Sequence, residues 1–376
     1  MKFFFPDSQD QIDPSFDFSS EVRSAHRVRQ RDDKYAHEVL SPPPYDGMLI
    51  SKPIVDGLPG SSGKYTVAQR NRLYRQGARS FFRLNDDGAE LAIMGDCGAF
   101  TYAKEETPVY TIDQVIDFYD GCDLDLGLAM DHVIFGYDKD LDTCPTEVPD
   151  DWGRRQELTL RLAEEFLEAR SRRGSKFEPV GVAHGWSPAS YRESVERLQS
   201  LGYVRVALGG MVPLKTRDIL ESLEAVAEVL KTGTQLHMLG VTRTSHVQEF
   251  SSYGVTSFDS TSPFRQSFKD DKDNYYAQDR SYVAIRIPQV DGNTRLRKLV
   301  TAGEVDQREA RRHEKECLRK IRQYAEGTAA VEEAVKSVRR YDELIGDTKD
   351  RSDQYFKTLQ DRPWESCGCG VCKDVG

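Results

Sequence analysis

The stretch PVGVAHGWSPASYRESVERLQSLGYVRVALGG, residues 179–210, decides the fold class of this chain. It contains an apolar strand pattern, PVGVAHG, then an amphipathic helical pattern, SPASYRESVERLQSLG, and then a second apolar strand pattern, YVRVALGG. The helical pattern opens with a Ser-Pro start signal and ends at a glycine. Unbroken apolar strands separated by a helix of this length predict a parallel sheet that is buried on both faces.

The same alternation continues from about residue 48 to about residue 264. Further strand candidates are MLISKP, ELAIMGD, LDLGLAMD, QLHMLGV and VTSFDS, with helical patterns such as TIDQVIDFYDG between them. Seven or eight such units predict an α/β chain folded as a (β/α)8 TIM-type barrel rather than as an open doubly wound sheet. No G-x-G-x-x-G motif follows the first of these strands, which weakens a dinucleotide-binding interpretation.

The pattern divides the chain into three predicted parts. They are an irregular N-terminal arm (residues 1–45), a catalytic barrel (46–290) and a mostly helical appendage (291–376). SYVAIRIPQV is the candidate for the last strand of the barrel. Three helical stretches, near 304–326, 329–345 and 350–360, precede a cysteine cluster, ESCGCGVCKDVG.

The composition is typical of a protein from a reducing compartment. Its apolar runs are far shorter than the roughly 18 residues of a membrane span. The opening MKFFFPDSQD lacks the h-region and cleavage site of a signal peptide. Seven cysteines, without a disulfide spacing before the final cluster, fit reducing conditions. We therefore expect a cytoplasmic protein that has no membrane partner.

The formal net charge of −10 hides a basic segment. Residues 295–326 carry ten Lys or Arg against six Asp or Glu, most of them on one predicted helix that includes Arg311, Arg312 and Lys315. Such a helix is either a solvated surface with i,i+4 ion pairs or a strip that binds phosphates. Composition leaves both interpretations open.

Polar and small residues stand where several predicted strands end. The carboxyl ends of barrel strands meet at one mouth, where catalytic groups are displayed. An aspartate at such a position also suits a helix cap. These strand-end residues are Asp96, Asp131, His184, Gly209, Gly210, Gly240 and Asp259. Together they predict a pocket for a flat polar ligand, lined by glycines that allow close backbone approach and by carboxylates suited to acid/base or nucleophilic chemistry.

The segments that contain these strand ends resemble the tRNA-guanine transglycosylases. They follow one another in the family's order, and the resemblance covers roughly residues 90–376. GDCGAF resembles D-S-G-G-F/Y, LAMD the strand of the base-reading aspartate, and GVAHG a G-I/V-Q-Q-G-like strand. ALGGM is similar to the G-G-L segment, MLGV to L-M-G-V, and SFDSTSPFR to F-D-C-V/M-x-P-T/S-R. The C-terminal CGCGVC resembles the C-x-C-x-x-C zinc cluster. The first ninety residues show no clear match.

The resemblance implies a pentosyltransferase that exchanges a base at C1′ of a nucleotide. Asp259 matches the nucleophile, Asp96 the general acid/base, and Asp131 the carboxylate that reads a guanine-like edge. Phe100 falls where a ring stacks on the base and Leu239 where an apolar side chain covers its other face. The other implied base contacts are Cys97, His184, Gly209 and Gly210, and the expected nucleic-acid contacts are Arg265, Arg311, Arg312 and Lys315.

The resemblance also implies a structural Zn2+ on Cys367, Cys369 and Cys372. The family's fourth ligand is a histidine after the cysteines, whereas this sequence ends at Gly376. Three thiolates do not complete a tetrahedral site. Cys317, His313, another histidine and another chain remain open as the fourth ligand, and three free thiols are the alternative.

The departures from the family pattern concern the base pocket. Cys97 replaces a serine, His184 a glutamine and Ala99 a glycine, and about a hundred residues separate Asp259 from the cysteine cluster. These departures look more like the DNA-directed branch, whose members insert a 7-deazaguanine precursor such as preQ0 into DNA. Resemblance to that branch implies DNA as the partner. Helper proteins that open the duplex, and a second copy of this chain in a homodimer, are further partners to test.

Three alternatives remain beside this interpretation. The first is a tRNA-guanine transglycosylase with a divergent pocket. The second is a non-catalytic partner subunit that binds nucleic acid, and the presence of both Asp96 and Asp259 argues against it. The third is a metal-dependent barrel hydrolase, which would need a His-x-His or similar ligand set at strand ends, and the sequence has none there.

Overall fold

The computed structural model describes residues 1–7, 9–17, 20, 22–84, 91–269, 274–277, 280–368 and 372–373. These residues form two compact units, Met1–Ser262 and Pro263–Gly376. In the first unit, eight parallel strands close into a barrel, in which each strand pairs with the next and the last pairs with the first. The strands are β1 (Lys2–Pro6), β2 (Gly47–Ser51), β3 (Ala92–Asp96), β4 (Leu126–Leu128), β5 (Glu178–Ala183), β6 (Arg205–Leu208), β7 (Gln235–Met238) and β8 (Val255–Asp259). The predicted (β/α)8 barrel is confirmed.

Helices connect the strands of the barrel. They are α1 (Lys52–Val55), α2 (Val67–Phe81), α3 (Ile112–Gly121), α4 (Asp150–Arg173), α5 (Pro188–Leu201), α6 (Thr216–Ala227) and α7 (Val247–Ser252). Helix α5 begins and ends where its sequence signals predict. The Ser187 side chain accepts a hydrogen bond from the Ser190 N–H, and Gly202 ends the helix at φ 105°, in the left-handed region.

Side chains of the strands alternate between the barrel interior and the layer beneath the helices. The interior holds an apolar cluster of Phe4, Leu49, Met94, Leu126, Leu128, Val180, Val182 and Ala207. Neighbouring strand residues such as Met48 and Ile93 belong to the larger core between strands and helices. Because side chains fill the interior, a ligand must bind at the mouth of the barrel.

The first strand corrects the predicted N-terminal arm. Lys2–Pro6 is not an arm, because it pairs in parallel with both β2 and β8 and closes the barrel. Phe4 provides the physical reason, since its side chain fills the interior and is 3% exposed. Residues between β1 and β2 are largely irregular, as expected.

The candidate last strand, SYVAIRIPQV, lies outside the barrel. Only Ser281–Tyr282 is extended there, as β10, and it pairs antiparallel with β9 (Tyr275–Tyr276). Val283 and Val290 are buried in the core of the second unit, which explains the apolar pattern of this segment. The division between units therefore falls after Ser262 and not at residue 290.

The second unit is mostly helical, as predicted. Helix α8 (Ser262–Lys269) begins at the boundary between the units, and the later helices are α9 (Thr294–Thr301), α10 (Gln307–Ala325), α11 (Val331–Leu344), α12 (Ser352–Asp361) and α13 (Pro363–Ser366). Buried residues from α9 to α12 form one apolar cluster with Val283 and Val290. Among the described residues, no helix is both long and apolar enough to cross a membrane.

Candidate active site

Asp259 is the last residue of β8 and is 7% exposed. Its Oδ1 accepts a hydrogen bond from the Gly240 backbone N–H at 2.9 Å and lies 3.2 Å from the His237 Nε2. The strand pairing sets Asp259 beside Phe4 of β1. Its carboxylate is therefore held at the mouth of the barrel, directly above the packed interior.

Asp96 ends β3 and lies beside Ser51 of β2. Its Oδ1 accepts the Gly98 N–H at 2.8 Å. Gly98 has a φ of 79°, and a Cβ there would lie 2.2 Å from the Pro53 side chain, so this turn requires glycine. Burial raises the pKa of the Asp96 carboxyl to about 7, and the negative charges of Asp131 and Asp259 act in the same direction, against hydrogen bonds from Gly98 and Ser51.

Asp131 follows β4 and is buried. The His184 Nε2 lies 2.7 Å from its Oδ2, and the Cys97 thiol donates to its Oδ1 at 3.2 Å. The Tyr102 hydroxyl in turn donates to the Cys97 sulfur at 3.3 Å. Burial raises the pKa of the Cys97 thiol well above its usual value, so this sulfur stays protonated and remains a donor. The two donors to Asp131 fix the plane of its carboxylate, and Tyr102 holds one of them, the Cys97 thiol, in place.

Gly209 and Gly210 follow β6, and a side chain at either position would clash with its neighbours. A Cβ on Gly209 would lie 2.4 Å from the His184 Cε1. A Cβ on Gly210 would lie 2.5 Å from the Ile134 carbonyl oxygen, and Gly210 has a φ of 76°. The Tyr191 hydroxyl holds the Gly209 carbonyl at 2.8 Å. Backbone therefore forms this side of the site.

These strand ends enclose one cavity of about 210 Å³. Ligand sites for drug-sized molecules are larger, at roughly 300–1,000 Å³, so this cavity suits one small, flat ligand. Its lining residues are Leu49, Asp96, Ala99, Phe100, Asp131, Val133, Phe135, His184, Gly209, Gly210, Val212, Leu239, Gly240 and Asp259. All the predicted catalytic and base-binding residues except Cys97 line it, and Cys97 lies behind Asp131.

The rim of the cavity is aromatic. Phe100 is 72% exposed, and its ring meets that of Phe135 edge to face, with ring centroids 5.7 Å apart. Exposed aromatic rings beside a polar cavity are suited to stacking on a planar ligand. We did not predict Phe135 from the sequence, because it lies four residues after the strand-end Asp131 in an irregular loop.

His237 and Tyr102 were also missed. His237 lies within β7, and Tyr102 within a short 3-10 turn after β3, so neither stands at a strand end. A signal for His237 was available, since a histidine interrupts the apolar run QLHML at an alternating position.

The predicted nucleic-acid contacts lie in the second unit. Arg265 is exposed on α8, and Lys315 is exposed on α10. Also on α10, Arg311 donates to Asp291 at 2.7 Å, and an Arg312 nitrogen lies 3.6 Å from Glu309. Part of the basic charge on this helix is therefore neutralised by neighbouring acids.

The predicted zinc ligands lie near the end of the second unit. Cys367 and Cys372 are half-buried, and Cys369 lies outside the described residues. No group of three or more His, Cys, Asp or Glu side chains in the described part of the chain could hold a metal ion. Cys317 is buried, and its thiol donates to the Ser337 carbonyl at 3.1 Å.

The fold and the site define a barrel enzyme with carboxylates at the ends of three strands around a small cavity. Two comparisons bear on its family. The family described as queuine tRNA-ribosyltransferase matches residues 133–286. A Salmonella montevideo protein described as a DNA-guanine transglycosylase is 48% identical over 381 residues, which cover 100% of this chain and 90% of that protein. This chain belongs to the tRNA-guanine transglycosylase superfamily, in the branch of DNA-guanine transglycosylases, and is a pentosyltransferase.

Proposed function

We propose that this enzyme exchanges guanine in DNA for a 7-deazaguanine such as preQ0, through a covalent bond between Asp259 and the nucleotide. The observation that carries the proposal is that Asp96 and Asp259 line the same small cavity, in which burial raises the pKa of Asp96 to about 7. Two carboxyl groups in different environments suit an acid and a nucleophile.

In the first half of the reaction, a carboxylate oxygen of Asp259 attacks C1′. The C1′–N9 bond breaks with an oxocarbenium-like transition state, and its electron pair goes to the leaving guanine. Near neutral pH a substantial fraction of Asp96 is protonated and can give its proton to that base. The products are guanine and a sugar esterified to Asp259.

In the second half, a 7-deazaguanine takes the place of guanine. Asp96, now a carboxylate, removes the proton from its N9, and N9 attacks C1′. The ester bond to Asp259 breaks, and its electron pair returns to the carboxylate. Both half-reactions need the same two residues, with Asp96 changing from acid to base.

Recognition of the base rests on Asp131 and the residues around it. Each Asp131 oxygen has one donor from the protein, which leaves lone pairs for the N1–H and exocyclic amine of a guanine edge. The His184 Nε2 is committed to Asp131, whereas its buried Nδ1 has no hydrogen-bond partner among the described residues. The Gly209 and Gly210 backbone and the faces of Phe100 and Leu239 complete the pocket.

DNA is proposed as the substrate because the Salmonella montevideo protein, similar over the whole chain, is described as acting on DNA. The target nucleotide must leave its stack to reach the cavity, and the Phe100–Phe135 rim offers it an aromatic surface. The second candidate substrate is tRNA, which the matching family description favours.

Incorporation of labelled preQ0 and labelled guanine into duplex DNA, single-stranded DNA and tRNA tests the proposal. We expect label in DNA and a protein–DNA adduct that survives denaturation. Asp259→Asn should abolish both. Asp7→Asn is the matched control, because Asp7 is also a buried aspartate directly after a strand but does not line the cavity. Label in tRNA alone would refute DNA as the substrate, and an active Asp259→Asn enzyme would exclude Asp259 as the nucleophile.

We also propose that Cys367, Cys369 and Cys372 hold a structural Zn2+, since three closely spaced thiols provide the soft ligands that zinc prefers. Cys317 does not suit the fourth position, because it is buried in the apolar cluster of the second unit and its thiol donates to the Ser337 carbonyl. Metal analysis should find zinc in the wild-type protein and in Cys144→Ser, which removes an exposed thiol elsewhere, but not in Cys372→Ser. A metal-free wild-type protein would contradict this proposal.

A further inference from the structure

We infer that His237 is a positioning residue that holds the Asp259 carboxylate so that Oδ2 is the oxygen that attacks C1′. This inference rests on the proposed function. His237 is 3% exposed and lies in β7 beside Ala207 of β6, an interior position of the barrel. It does not line the cavity, so it would act through Asp259 and not on the substrate.

The hydrogen bonds of His237 fix the form of its ring. Nε2 lies 3.2 Å from the Asp259 Oδ1, and Nδ1 lies 2.9 Å from the Ser257 hydroxyl. An ionised carboxylate only accepts hydrogen bonds, so the proton of a neutral ring stands on Nε2. Nδ1 then accepts the Ser257 hydroxyl proton. Ser257, His237 and Asp259 thus form a chain of donors that ends on one oxygen of the proposed nucleophile.

An irregularity in the sheet produces this alignment. The pairing of β7 with β8 shifts between Leu236 and His237, so that Leu236 lies beside Val255 but His237 lies beside Ser257. Such bulges redirect side chains and are common next to active sites. The Phe4 ring and the imidazole meet edge to face, with ring centroids 5.7 Å apart, and this packing restricts the movement of the imidazole.

The two oxygens of Asp259 consequently differ. Oδ1 accepts from both His237 and Gly240, whereas Oδ2 has no hydrogen bond within the described residues. Hydrogen bonds to a carboxylate oxygen stabilise its charge and reduce its tendency to attack. The geometry therefore makes Oδ1 the anchor and leaves Oδ2 as the nucleophile.

Three variants test this inference. His237→Phe keeps a ring without a donor, His237→Gln keeps an N–H donor, and Ser257→Ala removes the hydroxyl behind the ring. His37→Phe is the matched control, because His37 is also a buried histidine, but its ring nitrogens are bonded to the Tyr45 hydroxyl and the Phe82 carbonyl and not to Asp259. The measurements are single-turnover formation of the protein–DNA adduct, KM for DNA and for the base, and the melting temperature of each protein.

We expect His237→Phe to slow adduct formation about 10- to 100-fold, as misplacement of a reacting group does, with each KM changed by less than about threefold. His237→Gln should recover most of that rate, and Ser257→Ala should lose less than His237→Phe. An unchanged rate in His237→Phe would overturn the inference. So would equal losses in His237→Phe and His237→Gln, because loss of packing and not of the donor would then explain them.

A second measurement does not depend on activity. In protein labelled with 15N-histidine, the His237 signals should show a protonated Nε2 and an Nδ1 that accepts a hydrogen bond, and Ser257→Ala should shift the Nδ1 signal. A ring protonated on Nδ1 alone would overturn the inference even if His237→Phe were insoluble. If the expected signals appear but the wild-type enzyme forms no adduct with any nucleic acid, the proposed function fails and the hydrogen-bonded arrangement stands.

Discussion

At the scale of single residues, the sequence predicts that polar side chains at the ends of different strands lie close together. Asp96, Asp131 and Asp259 each follow an apolar run, and parallel strand ends of a barrel must converge, so their meeting at one cavity could be predicted. The hydrogen bonds that distinguish their environments could not. They depend on the register between β7 and β8, which has no local signal in the sequence, and on the packing of the turn at Gly98 against Pro53.

The raised pKa of Asp96 predicts how the first half-reaction depends on pH. In the proposed mechanism, adduct formation needs the protonated carboxyl, so its rate should be constant well below pH 7 and fall about tenfold per pH unit well above it. Asp96→Asn cannot give up a proton, and its residual rate should lack this decline and be roughly 10²- to 10⁴-fold lower at pH 6. Single-turnover rates from pH 5 to 9 provide the measurement. A wild-type rate that rises above pH 7 would argue against Asp96 as the acid.

At the scale of elements, strands and helices with a complete local signal were predicted and the first strand was not. Helix α5 has a capping serine, a proline in its first turn and a terminal glycine, and its bounds follow from them. The segment Lys2–Pro6 is short, and the largely irregular residues between it and β2 do not continue the strand–helix alternation of the later chain. Its role depends on pairing with β8, about 250 residues away, and only the closure of the barrel reveals it.

Closure by β1 predicts that Phe4 contributes strongly to stability. Phe4→Ala would leave a cavity inside the barrel and should lower the free energy of unfolding by about 3–5 kcal/mol. Phe5→Ala is the matched control, because Phe5 is only partly buried and stacks on Tyr45 outside the interior cluster. The decrease in the free energy of unfolding should be smaller in Phe5→Ala than in Phe4→Ala. Chemical unfolding of both variants measures the difference, and equal, small losses would mean that the segment does behave as a dispensable arm.

At the scale of the whole molecule, charge is divided unequally between the two units. The second unit carries 23 Lys or Arg and 21 Asp or Glu, so the excess negative charge of the chain lies in the first unit. An overall charge of −10 is therefore compatible with a nucleic-acid partner, since local charge governs such binding. The exposed basic residues of α10 are the candidates for phosphate contacts.

The basic charge of helix α10 belongs either to a solvated surface or to a strip that binds phosphates, and an experiment can separate the two interpretations. Arg312 and Lys315 are exposed, and Lys315 forms no ion pair with any other described residue. If both contact phosphates, Arg312→Ala with Lys315→Ala should weaken DNA binding for all sequences and reduce the slope of log K against log salt by about 1.8.

The matched control is Arg154→Ala with Arg217→Ala, which removes two exposed arginines of the first unit and should leave that slope unchanged. Titrations by fluorescence anisotropy at several salt concentrations measure both slopes. Equal slopes in the α10 variant and the wild type would mean that α10 is a solvated helix whose charges serve its own ion pairs. Under the proposed function, DNA would then be held by other residues, and the adduct rate at saturating DNA should be the same in all three proteins.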